Sequence, residues 1–205
     1  MKILTVSDKI EKTFFKEPLL KEKCRNIDLI LACGDLPPYY LEYLLNGLNV
    51  PLFYVPGNHD ERPENILEPK KPFAMGCRNL HCKIVEHKGL LIGGIGGSMR
   101  YKKGRYLFSE VQMKRKVKGM ARRLLFNKKK YGRYIDILIT HSPPSGIHDE
   151  SDLPHQGFKA FLHFIETYKP AYFVHGHTML KKGQHITRYQ STTILNTNNW
   201  WIWDI

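Results

Sequence analysis

The chain has 205 residues, which suits one domain with a sizeable core, over 1–205, better than two small ones. Its 42% hydrophobic and 25% charged residues match an ordinary soluble globular protein, and no apolar run approaches the roughly 18 residues that span a bilayer. The formal net charge of +13 favours anionic partners, phosphorylated small molecules or nucleic acid, over a membrane, without saying where they bind.

The first apolar stretch, Ile3 to Val6, meets Ser7-Asp8 at once and is too short for a secretory leader, so a cytoplasmic location is expected. Four cysteines, Cys24, Cys33, Cys77 and Cys82, are too few and too scattered for a disulfide framework. They read as reduced thiols in or near the core. Oligomeric state is left open.

In chain order, strands are expected at Lys2 to Val6 and Asp28 to Ala32, followed by a helix from Pro38 to Leu48. A third strand covers Leu52 to Val55. Two more, Cys82 to His87 and Leu90 to Ile95, flank a Lys88-Gly89 turn. Ser109 is placed to cap a long basic helix to Lys130, with Val111, Val117, Met120, Leu124 and Leu125 turned inward. The strand Ile135 to Ile139 precedes a helix from Gln156 to Tyr168, whose Phe158, Phe161, Leu162 and Ile165 share a face. Ala171 to Val174 is a further strand. Gln184 to Tyr189, Thr192 to Leu195 and Trp200 to Trp203 complete the series, with a turn at Asn198-Asn199. Alternating strands and helices indicate an α/β domain, and the near-continuous apolar runs indicate strands covered on both faces. The second set of strands is expected to be the more antiparallel part.

Five of these strands end in chemistry. The first delivers Ser7-Asp8, the second Gly34-Asp35, the third Gly57-Asn58-His59-Asp60, the fourth Thr140-His141 and the fifth His175-Gly176-His177. Taken alone, an Asp after a strand is a turn former and a lone His is an ordinary polar residue. Five such ends in one chain are another matter. Open α/β sheets bind ligands at the carboxyl ends of their strands. Carboxylate, amide oxygen and imidazole are donors for Zn, Mn or Fe.

The ordered motifs Asp8, Gly34-Asp35, Gly57-Asn58-His59-Asp60, His141 and Gly176-His177 resemble those of the calcineurin-like metallophosphoesterases. That family's pattern is D-x-H, G-D, G-N-H-[DE], H and G-H-x-H. Gly93-Gly94-Ile95-Gly96-Gly97-Ser98 and Asn196 fit as well. The resemblance implies an α/β fold, a four-layer α/β/β/α sandwich of two mixed β-sheets flanked by helices. It implies one or two divalent ions (Mn, Fe, Zn or Ni) and hydrolysis of a phosphomonoester or phosphodiester by metal-activated hydroxide. Asp35 would bridge two metals, Asn58, His141 and His177 would complete one, and Asp8 would serve the other. His59 would act as general acid, oriented by Asp60.

The chain departs from that pattern twice. The D-x-H position reads Asp8-Lys9-Ile10, and the G-H-x-H position reads Gly176-His177-Thr178-Met179. In the family both missing histidines serve the same metal. Glu11 and His175 are therefore candidate replacement ligands, and Lys9 could supply part of the lost charge, though pointing to solvent is its plainer reading. A catalytically degenerate binding or scaffold protein is the alternative from another class, and a nuclease acting on RNA or DNA is a third. Arg62 and Arg100 are candidate phosphate clamps, since arginine grips phosphate with paired hydrogen bonds. The segment Arg100 to Arg133, rich in Lys, Arg and Tyr, could hold a nucleic-acid strand or simply be a solvated helix face. The loop Ser142 to His155, with His148, Asp149 and Asp152, lies where it could shape the pocket.

Overall fold

The computed structural model describes residues 1–60, 74–181, 183–197 and 199–205. The first half runs β1 (Lys2–Ser7), a 3-10 turn (Lys12–Phe15), α1 (Glu17–Lys23), β2 (Leu29–Ala32), α2 (Pro38–Leu48) and β3 (Leu52–Tyr54). Next come β4 (Arg78–Asn79), β5 (Lys83–His87), β6 (Leu90–Ile95), β7 (Ser98–Met99), β8 (Leu107–Phe108) and α3 (Glu110–Tyr131). The remainder is β9 (Ile137–Thr140), a 3-10 turn (Leu153–His155), α4 (Lys159–Tyr168), β10 (Tyr172–His175), β11 (Ile186–Tyr189), β12 (Thr192–Asn196) and β13 (Asn199–Asp204).

The strands form two large sheets, in the orders β13-β1-β2-β3-β4 and β11-β12-β10-β9-β6-β5. Period-2 alternation explains how they stack. Ile3, Leu29, Leu31, Phe53 and Val55 point between the sheets, where they meet Ile92, Ile137, Ile139, Val174 and Leu195 of the second sheet. Their neighbours Leu4, Val6, Ile30 and Ala32 point outward and pack with Leu20 of α1 and Leu41 and Leu44 of α2. On the opposite outer face, Leu138, Phe173 and Ile194 meet α3 and α4. Three apolar layers therefore hold four structural layers together, α/β/β/α. Each fully buried Leu, Ile or Phe contributes roughly 1.5–3 kcal/mol relative to exposure.

Both sheets are mixed. β1, β2, β3 and β4 are parallel, and β13 runs antiparallel to β1. In the other sheet β12, β10, β9 and β6 are parallel, with β11 and β5 antiparallel at the edges. As expected, the second set of strands is the more antiparallel part, since each antiparallel pair, β13-β1, β11-β12 and β5-β6, draws on it; β6 and β12 also pair in parallel with β9 and β10.

The helices follow local chemistry. Ser109 Oγ accepts from Gln112 N, and Gln112 Oε1 accepts from Ser109 N over 2.9 Å, a reciprocal cap that starts α3 at Glu110. Its inward stripe is Met113, Val117, Met120 and Leu124. Val111 and Leu125, expected inward, are each 59% exposed. They sit off the 3.6-residue stripe by too large an angle. α4 begins at Lys159, three residues later than the periodicity of Gln156 to Tyr168 suggested. There the Glu110 carboxylate accepts from Lys159 N and Ala160 N, so a side chain of α3 caps α4. The seven-residue α1 was too short to show a period.

Candidate metal centre at the strand ends

The parallel strands β1, β2 and β3 of one sheet and β9 and β10 of the other deliver their carboxyl ends to one edge. There Asp8, Asp35, His141 and His177 bring one ligand atom each within 4.8 Å of one another. Three of these four residues have left-handed backbone: Asp8 at φ 62°, Asp35 at 57° and His177 at 70°. Such conformations cost on the order of 1 kcal/mol each in a side-chain-bearing residue and collect where function over-determines geometry. Each lets the chain turn sharply off its strand while the side chain stays over the edge.

Close backbone approach makes the space. Gly34 has φ 93°, and a Cβ there would sit 2.7 Å from His141 Nδ1. A Cβ on Gly176 would fall 2.5 Å from Asp8 Oδ2. Neither position tolerates a side chain.

His141 is fully buried. Its Nδ1 lies 2.7 Å from the Cys33 carbonyl and gives it a proton, so Nε2 carries the lone pair. That lone pair faces Asn58 Oδ1 at 2.8 Å and Asp35 Oδ2 at 3.4 Å. His177 Nε2 likewise donates to the Pro154 carbonyl over 2.8 Å, leaving Nδ1 as its acceptor nitrogen, while its N–H donates to Asp8 Oδ2 over 2.9 Å. Acceptors thus face acceptors, which is unfavourable unless a positive charge sits among them.

The electrostatics carry the same signature. Burial opposes ionisation of His141, but the Asp35 charge and hydrogen bond outweigh it and raise its pKa to about 9. Burial would raise Asp35; His141 and His59 reverse this and hold it well below the usual carboxylate range. Asp8 is pushed up, first by burial and then by Asp35, against the pull of His141. Burial, then the His141 charge, lower His177 to about 3. Without a metal, a proton on His141 offsets the Asp35 charge. Asp35, Asn58, His141 and His177 therefore fit a divalent cation.

His59 stands at the mouth. Its Nδ1 lies 3.0 Å from Asp35 Oδ2, its side chain is 32% exposed, and its N–H donates to Asp35 Oδ1 over 2.7 Å. Asp60 does not orient it. The Asp60 carboxylate turns back to accept from Gly57 N over 2.7 Å, and its other oxygen is buried without a partner. The tight Gly57-to-Asp60 turn makes the backbone donor nearer than the imidazole. Burial, then the Asp35 charge, raise Asp60 to about 7.

The positions of the two missing histidines are filled quite differently. Ile10 packs against the outer core around Leu4 and Phe14. Met179 is 65% exposed, and its Sδ accepts from Lys9 Nζ over 2.9 Å. Neither candidate replacement compensates. Glu11 accepts from Thr13, Asn199 and Trp200, capping a 3-10 turn and tying it to β13. His175 directs Nδ1 to the Gly176 carbonyl and Nε2 to His148, inside the protein. β10 ends at His175, and the left-handed backbone of His177, φ 70°, turns its side chain away from the face that His175 occupies. Among the described residues, Asp8 and Asp35 are the only acidic groups of the second half-site.

Arg62, and Asn198 of the expected final turn, lie outside the described residues. Arg100 donates to the Leu107 carbonyl and Gln112 Oε1, so its guanidinium braces β8 and the start of α3 instead of a phosphate. The sequence reading did not identify the carbonyls of Cys33 and Pro154, which set the two histidine tautomers. No side-chain pattern marks a backbone carbonyl. It also passed over His155, whose ring lies 5.0 Å from that of His177 and which pairs with Asp152. With Glu150 these two form a second, exposed acidic and histidine group beside the centre.

Comparison with known proteins agrees with this fold. Among curated proteins none matches the sequence significantly. A crystal structure of TT1561 from Thermus thermophilus is 20% identical, with TM-score 0.64, over 97% of this chain and 89% of that one. A hypothetical protein from the same organism is 15% identical, with TM-score 0.54, over 97% and 76%. At such identities these share the fold. No helix among the described residues is long and apolar enough to cross a membrane. The family model of the calcineurin-like phosphoesterases matches residues 1–181, and the chain belongs to that family.

Proposed function

We propose that this protein hydrolyses a phosphate ester with one tightly held divalent cation at Asp35, Asn58, His141 and His177. The observation that carries this reading is the convergence at the strand ends, where Asp35, His141 and His177 bring ligand atoms within 4.8 Å of one another and Asn58 Oδ1 lies 2.8 Å from His141 Nε2. When bound, a divalent cation lowers the pKa of a water and neutralises charge on phosphoryl oxygens.

The chain's own residues do the rest. The Cys33 and Pro154 carbonyls lock the imidazoles of His141 and His177 in the tautomers that present lone pairs. His59, partly exposed and held at Asp35, delivers the proton to the leaving oxygen. The positive field of the chain, +13 overall, draws the anionic ester in.

The test uses purified protein reconstituted with Mn, Fe, Zn or Ni and assayed on bis-p-nitrophenyl phosphate and p-nitrophenyl phosphate. Turnover that disappears in His59→Ala, with metal retained, supports the hydrolase. No turnover with any of these ions sinks it. The loss of both family histidines, at Ile10 and Met179, favours a second reading, a phosphoesterase-like binding module, and that outcome would select it.

A further inference from the structure

One cavity opens beside the metal centre and shares a wall with a second, more distant one. The first, about 390 Å³, reaches from Gly34 and Asp60 at the strand ends to Tyr54, Asn79, Arg105 and Tyr106. The second, about 530 Å³, is bounded by those same last four residues and continues to His81, Lys83, Phe108 and Lys116. Leu36, Leu41 and Val55 make the first cavity largely apolar. No carboxylate lines the second among the described residues, and three cationic side chains do.

The inner end of the second cavity sets two donors against each other. Gly96 N donates to His81 Nδ1 over 3.0 Å, so the neutral ring carries its proton on Nε2. Burial, then the charges of Lys116, Arg105 and Lys83, push the His81 pKa down to about 4, which keeps the ring neutral near pH 7. Lys116 Nζ lies 3.1 Å from that same Nε2. An ammonium has donors only. Neither of the two facing groups can accept. The ammonium is held there by the Phe108 ring, 4.2 Å away, which itself stacks on His81 at 6.0 Å and 23°. An anionic oxygen set against both groups would accept from both.

We propose that this basic pocket seats a second anionic group of the substrate, a phosphate remote from the scissile one, while the apolar cavity takes the organic moiety between them. The identification of the occupant as substrate rests on the hydrolase reading; the anion seat does not. The ligand class is an ester of a nucleoside-like or other flat organic group that bears an additional phosphate. Lys116 supplies the charge, His81 a neutral donor, and Tyr54 and Tyr106 flank the passage.

The experiment has two arms, both on the full chain. In the first, inorganic phosphate is titrated into metal-free protein in EDTA and followed by calorimetry. Wild type binds, and Lys116→Gln weakens binding about tenfold, as loss of a charge-assisted hydrogen bond implies. Lys130→Gln, at the other end of α3, has no effect. Absence of binding, or an equal loss in the Lys130 variant, overturns the seat. In the second arm the Mn-loaded protein is given the p-nitrophenyl ester of thymidine 5′-monophosphate with and without a 3′-phosphate. Lys116→Gln raises KM for the 3′-phosphorylated ester about tenfold relative to the plain one. The same KM ratio in wild type and variant overturns the substrate assignment and leaves a site for free phosphate. Lack of any wild-type turnover would count against the hydrolase reading instead, with the first arm still deciding the seat.

Discussion

Lys9 Nζ donates to Met179 Sδ over 2.9 Å across the outer side of the metal centre. A lysine and a thioether thus meet beside the half-site where the family pattern has two histidines. Methionine is a soft, weak ligand for hard divalent ions, and a lysine ammonium is none. Among the described residues the half-site retains only Asp8 and Asp35, and wild-type protein should bind one equivalent of Mn2+ tightly. The double variant Ile10→His, Met179→His should bind two. Metal analysis after gel filtration measures this, and a wild-type value of two would overturn the single-site view. Ile10→His alone should lower stability, because Ile10 packs on the outer core.

Gly34→Ala tests how closely the centre is built. The residue has φ 93°, and an added Cβ would lie 2.6 Å from Gly57 N and 2.7 Å from His141 Nδ1. Left-handed strain alone costs about 1–2 kcal/mol. Both the urea midpoint and the Mn2+ affinity should fall. A variant with wild-type metal affinity would show that the edge relaxes without moving His141.

The phase of α3 can be read from a pair of alanine substitutions. Leu124 is fully buried and Leu125 is 59% exposed. Leu124→Ala should cost about 2–5 kcal/mol, whereas Leu125→Ala should stay within roughly 0.5 kcal/mol of wild type. Equal losses in urea unfolding would mean the helix is rotated from the orientation described.

His148 makes the metal-free protein sensitive to acid. Its Nδ1 faces His175 Nε2 at 2.9 Å and its Nε2 faces Thr187 Oγ1 at 2.8 Å. Burial, then the nearby His185, lower its pKa from the ordinary 6.5 to about 4. Above pH 6.5 both folded and unfolded states are neutral at this position. Between 6.5 and about 4 the unfolded chain takes up the proton and the folded chain does not, so stability falls as pH falls. Urea midpoints measured from about pH 7.5 to about pH 4.5 should decline less steeply in His148→Gln than in wild type. Parallel slopes would remove His148 as a cause.

Much of this architecture was readable along the chain because it depends on neighbours in sequence. Near-continuous apolar runs marked Ile3 to Val6 and Leu29 to Ala32 as strands covered on both faces, and their alternate residues became two distinct core layers. Ser109 announced the start of α3, and Gln112 three residues on returns its cap. What misled was end effects. Gln156 to Tyr168 looked helical throughout, yet the helix starts where Glu110, far away in sequence, offers its carboxylate to Lys159 and Ala160.

The sequence by itself determined the longer strands, the residue types at their ends and the absence of histidine at positions 10 and 179, but not the two-residue strands β4, β7 and β8. Those are local properties, set by side-chain periodicity and turn chemistry. Only the tertiary structure decided what each end residue does. Which imidazole nitrogen bears a lone pair depends on the Cys33 and Pro154 carbonyls, 108 and 23 residues away from the histidines they serve. Asp60 turned from His59 to Gly57 N, Glu11 to the edge of β13, and His175 to His148. Lys116 and His81 were brought 3.1 Å apart across 35 residues. A hydrogen bond is decided within a few tenths of an ångström, and that precision exists only once two sheets have packed.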